Sequence, residues 1–151
     1  MSAKIHLATL EDSDRLLGLV AAFHQDHGIA RSDEQRAAAL TPLLEGSPHG
    51  AAYLIGPRKA PVGYLVLSFG WSLEMGGIDC FLDEIYIRPP VRGRGMAREA
   101  LVALLPGLAQ AGVTAMHLEV KRDREQAARL YAKLGFEARE DYHLMTRRLT
   151  E

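Results

Sequence analysis

Apolar residues at Leu16, Leu17, Leu19, Val20 and Phe23 fall at the spacing of one helix face and predict a helix over about 12–25, which Gly28 ends. Ser32 followed three positions later by Gln35 has the form of a capping box, so a second helix is expected from there to about Glu45. Ahead of both, residues 4–8 alternate weakly and suggest a short strand. Beyond the loop at 46–50, residues 51–55 and 61–68 read as two strands joined by a Gly-Pro-Arg-Lys hairpin turn. An irregular piece at 71–77 leads to a strand at 78–88, stopped by Pro89-Pro90. A helix over 95–111 follows, with Pro106 expected to kink it or end it early. Residues 114–120 alternate as a strand, Asp123 caps a helix running through Leu134, and Gly135 closes it. Residues 136–138 and 142–149 are expected to complete the sheet. The resulting order, βααβββαβαββ, is that of a mixed α/β chain without repeats or linkers.

Composition narrows the function classes. The 151 residues suit a single domain able to bury a core without metal or disulfide support. A formal net charge of −1 argues against a general nucleic-acid binder, which carries a basic excess. The lone Cys80 rules out an intrachain disulfide and fits a reducing compartment. With no apolar run of membrane-spanning length and no signal pattern, a cytoplasmic protein is expected, without a membrane partner.

The chemistry concentrates in residues 81–100, FLDEIYIRPPVRGRGMAREA. An apolar strand carrying two carboxylates feeds a helix through Gly-X-Gly, with Arg92, Arg94 and Arg98 nearby. Free backbone N–H groups at such a helix start favour phosphate. A P-loop needs Lys and Ser or Thr after its last glycine, but Met96-Ala97 follow Gly95. The dinucleotide fingerprint fails because its sixth position, counted from Gly93, is Arg98.

Arg-X-X-Gly-X-Ala, formed by Arg92, Gly95 and Ala97, resembles the acetyl-CoA loop of the GNAT superfamily of N-acetyltransferases. Glu-Ile-Tyr-Ile-Arg-Pro at 84–89 is similar to that family's fourth strand. Leu118-Glu119-Val120 with Ala127, Leu130-Tyr131 and Gly135-Phe136 is similar to its fifth strand and following helix. The resemblance covers essentially the whole chain. It implies a mostly antiparallel central sheet of about six to seven strands flanked by about four helices. It also implies acetyl-CoA as co-substrate, no metal, and a small-molecule amine as acceptor, with the strand motif slightly closer to the small-molecule and polyamine branch. A protein N-terminus or lysine is the alternative acceptor, and a non-catalytic acyl-CoA sensor the alternative class. Dimerisation is common among relatives, so a homodimer is compatible with the resemblance.

The same resemblance assigns roles. The pyrophosphate is expected on Arg92, Gly93, Arg94, Gly95, Met96, Ala97 and Arg98, and the pantetheine arm beside Ile85, Tyr86 and Ile87. Glu84 is the first choice for the base that deprotonates the amine, and Asp83 the second. Strand alternation puts them on opposite faces, unless a bulge intervenes. Tyr131 stands where relatives keep a general acid for the thiolate. Arg124 replaces an Asn that often bonds the pantetheine arm.

Blander readings accompany each assignment. Arg92 and Arg94 could be solvated loop residues, Asp83 and Glu84 surface charges, and Tyr131 a packing residue. His24 and His27, one turn apart, suggest a metal pair or, more simply, a surface or cleft role. Trp71, Glu74 and Met75 could line an acceptor pocket or close a hairpin, and His117 and Cys80 read as packing residues.

Overall fold

The computed structural model describes residues 4–150. Its strands are β1 (Ile5–Leu7), β2 (Gly50–Ile55), β3 (Gly63–Ser72), β4 (Gly77–Ile87) and β5 (Val113–His117). Its helices are α1 (Ser13–Asp26), α2 (Asp33–Leu44), α3 (Met96–Gln110) and α4 (Glu125–Lys133), with 3-10 turns at Leu10–Asp12 and Pro89–Val91. The chain divides into two compact units, one running to Glu119 and one from Val120.

In the first unit the five strands follow one another in the order β1-β2-β3-β4-β5. The first three pairings are antiparallel, and β4–β5 is parallel. Alternation sends Ala52, Leu54, Tyr64, Val66 and Tyr86 into one apolar cluster with Leu16, Leu19 and Val20 of α1 and Leu40 and Leu44 of α2. The other strand positions, among them Leu65, Leu67, Cys80 and Leu82, are also buried, as are Met96, Ala100, Leu101, Leu104 and Leu108 of α3. A sheet hydrophobic on both faces needs cover on both.

Local signals explain the helix starts. Ser32 Oγ accepts from Gln35 N at 3.1 Å while Gln35 Oε1 accepts from Ser32 N at 2.9 Å, the reciprocal capping box expected for α2. At the start of α1, fully buried Asp12 accepts from Thr9 N at 2.9 Å, from Arg15 at 2.9 Å and from Arg58 at 2.6 Å. These contacts tie the first helix to the β2–β3 turn.

Two expectations are corrected. Helix α3 does not end at Pro106 but continues to Gln110. The lost hydrogen bond is outweighed by burial of Leu101, Leu104 and Leu108 on its inner face. The strands expected at 136–138 and 142–149 do not form, leaving five strands instead of six or seven. Within the second unit no other strand offers a ladder, and an unpaired strand has no stability of its own. Tyr142, Leu144, Met145 and Leu149 are 66–91% exposed there. Among the described residues no helix is long and apolar enough to cross a membrane.

Candidate active site

The geometry begins with a bulge. Val66 stands opposite Glu84, yet the next residue, Leu67, stands opposite Leu82, so Asp83 is an extra residue in β4. The insertion resets the alternation. Glu84 and Tyr86 thereby share the α1 face with Val66 and Tyr64, and Leu82 stays on the opposite face with Leu67.

Both oxygens of Glu84 are held. Tyr64 donates its hydroxyl to Oε1 at 2.7 Å, and His24 Nε2 of α1 lies 2.8 Å from Oε2. Tyr64 is fully buried and His24 nearly so, while the Glu84 side chain keeps 17% of its surface exposed. Burial, and after it the adjacent Glu84 carboxylate, push the Tyr64 phenol far up, so the hydroxyl keeps its proton and donates. Phe23 packs edge-on against both Tyr64 and Tyr86, with centroids 6.2 Å away in each case, and closes the apolar wall behind the carboxylate.

Asp83 differs. Its residue surface is exposed, yet partial desolvation, with the carboxylates of Glu84 and Glu119, pushes its carboxyl above the usual range against the opposing pull of His24. No hydrogen bond or ion pair fixes it among the described residues.

Strand β5 pairs with β4 only from Ile78 to Phe81. Past that point the outer edge of β4, carrying Ile85, Tyr86 and Ile87, has no partner strand among the described residues. The chain then turns through Arg88–Gly95 into α3. Gly93 and Gly95 have φ of 79° and 75°, a left-handed conformation that favours glycine. Among the described residues, none of the N–H groups from Gly93 to Arg98 donates within the chain. A Cβ at either glycine would meet nothing within 4 Å. A line of free amides at an uncapped 15-residue helix, with open space before it, fits a pyrophosphate.

The arginines divide. Arg92 is anchored: Nε donates to the Ile87 carbonyl at 2.7 Å, its guanidinium lies 5.3 Å from the Tyr86 ring centroid, and a terminal nitrogen reaches Asp26 at 3.4 Å. Arg94 and Arg98 make no such contacts among the described residues.

The remaining candidate residues lie outside this cradle, and Cys80 packs as its sequence position suggested. Cys80 is buried, and burial with the Asp79 charge raises its thiol to about 11, so it holds its proton at neutral pH. His117 is more than packing. Its Nε2 lies 3.0 Å from Asp79 Oδ2, beside Phe81 where β4 and β5 cease to pair. His24 and His27 do not converge, since His27 Nδ1 turns to the Phe23 carbonyl at 3.1 Å. Among the described residues no group of His, Cys, Asp and Glu is arranged to hold a metal ion. Trp71 is 70% exposed near the tip of the β3–β4 hairpin.

In the second unit, Tyr131 is half-buried on α4 with its ring 5.8 Å from that of Phe136. Burial pushes its phenol up. Arg124 is exposed and occupies the N-cap of the same helix, where its side chain makes no capping bond.

This arrangement defines a class: an α/β domain whose splayed fourth and fifth strands and glycine-rich helix start suit a long, phosphate-bearing acyl carrier. The model of the acetyltransferase (GNAT) family matches residues 22–136, and the chain belongs to that family. It is an acetyl-CoA-dependent acetyltransferase. An integron cassette protein from the mobile metagenome of Cole Harbour Salt Marsh shares 30% identity and a TM-score of 0.84, over 97% of this chain and 91% of its own. The aminoglycoside N-acetyltransferase AAC(6')-Iy, solved with CoA, has the same fold at 18% identity and a TM-score of 0.79, over 98% of this chain and 95% of its own. A ribosomal-protein-alanine N-acetyltransferase from Brucella melitensis biovar Abortus 2308 has it at 22% identity and a TM-score of 0.75, over 99% and 100%. Among curated proteins no sequence matches the chain.

Proposed function

We propose that this enzyme transfers acetyl from acetyl-CoA to a primary amine of a small molecule by direct attack, with Glu84 as the base. The observation that carries the reading is the clamped Glu84 carboxylate, whose two oxygens each spend one acceptor site on a fixed donor. A carboxylate has about four such sites, so two stay open for an amine proton or a bridging water. An amine of the lysine type is charged at neutral pH and attacks only after losing a proton, which a held, partly exposed carboxylate can take.

The co-substrate supplies an activated acetyl thioester. Residues Gly93 to Arg98 would hold its pyrophosphate through backbone N–H groups, aided by Arg94 and Arg98. The open edge at Ile85, Tyr86 and Ile87 would bind the pantetheine arm as a strand does. Arg92 supports this cradle from behind by fixing Ile87 and Tyr86. Tyr131 is the acid, since a phenol that keeps its proton at neutral pH can donate it to a thiolate. Asp83, exposed and beside the base, suits a contact with a cationic acceptor. The small-molecule acceptor is supported by the fold neighbour AAC(6')-Iy, also solved with the bisubstrate analogue CoA-S-monomethyl-acetylneamine at 19% identity.

The test is thiol release and product mass from acetyl-CoA with a panel of neamine, spermidine, and peptides bearing a free N-terminus or lysine. Acetylation of a small amine supports the proposal. Acetylation of peptides alone reassigns the acceptor. Turnover with none of them, while acetyl-CoA still raises the melting temperature, would make the chain a sensor.

A further inference from the structure

Glu84 is reached from a helix 60 residues earlier in the chain, because His24 of α1 places Nε2 2.8 Å from Oε2. The histidine is 9% exposed, and its other ring nitrogen, Nδ1, is buried with no hydrogen-bond partner. An unpartnered buried nitrogen costs roughly 1–3 kcal/mol. That cost is smaller when Nδ1 is a bare acceptor than when it is a charged donor, which favours the neutral ring with its hydrogen on Nε2. Such a ring must donate to Glu84, and Tyr64 can only donate to the same carboxylate's other oxygen. Two donors from two elements thus fix the carboxylate plane.

We propose that His24 is a positioning residue for acetyl transfer: as the Nε2–H tautomer it orients Glu84 for proton abstraction. It rests on the reading of Glu84 as the base. The titratable groups facing His24 are Glu84 and Asp83 of β4. Tyr64 of β3 stands on the far oxygen of Glu84. On its own helix lie His27 and Asp26, and Arg92 reaches Asp26. Loss of the donor leaves Glu84 held by Tyr64 alone, on one oxygen, so the carboxylate is free to turn out of line.

The decisive measurement needs no acceptor. Imidazole nitrogen NMR on the full chain should show His24 as the Nε2–H tautomer when neutral, with that preference lost in Glu84→Leu, which has no acceptor. An Nδ1–H tautomer in the wild type, or a ring indifferent to Glu84→Leu, overturns the proposal. Kinetics with neamine and spermidine supply the second arm. His24→Ala should lower kcat roughly 10- to 100-fold with KM for acetyl-CoA unchanged, through misplacement of the base. His24→Gln, which can donate from near the same place, should restore most of the lost kcat. Wild-type kcat in His24→Ala overturns the proposal while leaving Glu84 as base. Wild-type turnover in Glu84→Gln instead removes the base reading itself.

Discussion

Asp83 and Glu84 are neighbours in the chain and opposites in environment. Glu84 has a fixed donor on each oxygen, and Asp83 has none but sits between two other carboxylates. That both call for an explanation was legible, because two carboxylates stand inside an apolar strand. Their separation was not legible: the donors that hold Glu84 come from 20 and 60 residues away. Tyr64 carried no signal beyond its place in an apolar strand, and His117 reads as packing until Asp79 is seen beside it. Asp12 is a buried residue whose charge bears on stability. Burial alone would raise its carboxyl, but the Thr9 N–H, Arg15 and Arg58 outweigh it and hold the group below its usual 3.8. A carboxyl depressed in the folded state stabilises above its unfolded pKa and loses that contribution as pH falls through the folded one. Asp12→Asn should therefore be less stable than wild type at about pH 7, with the gap closing towards about pH 3. Urea midpoints at the two pH values check this, and a gap of equal size at both would contradict it.

At the scale of elements, the bulge in β4 and the start of α3 set the site. Helices α1 and α2, the hairpin and the Gly93–Gly95 turn were readable because caps, periodicity and glycine act locally. The bulge could be raised only from the resemblance, since it exists only in the register between two strands. The absent C-terminal strands show the converse, where alternation alone suggested a ladder that no neighbour provides. Gly95 caps α3 at φ 75°, and Gly95→Ala should strain the turn by about 1–2 kcal/mol. It should reduce the acetyl-CoA-induced melting shift more than it reduces the melting temperature of the free protein, since the strain falls on the amides meant for the ligand. Gly63 answers to a different demand. A Cβ there would lie 2.1 Å from the Tyr86 carbonyl oxygen across the β3–β4 ladder. Gly63→Ala should destabilise the protein by more than about 2 kcal/mol in chemical denaturation, and a midpoint within error of wild type would refute this close approach.

For the molecule as a whole, family and activity were legible from three short motifs, and the match over residues 22–136 establishes them. The acceptor was not, because α1, α2 and the β3–β4 hairpin reveal helix faces and turns but no recognisable ligand chemistry. Acetyl-CoA binding should stabilise the chain by mass action, about 2.7 kcal/mol at a hundredfold excess over Kd. CoA should act likewise and NAD should not. The role of Glu84 as base is tested most directly by pairing that melting shift with thiol release in a single variant, Glu84→Gln. Such a role predicts an acetyl-CoA melting shift like that of wild type and turnover lowered by roughly 10²-fold or more, the loss expected when a general base is removed. Turnover equal to wild type with the same shift would contradict it.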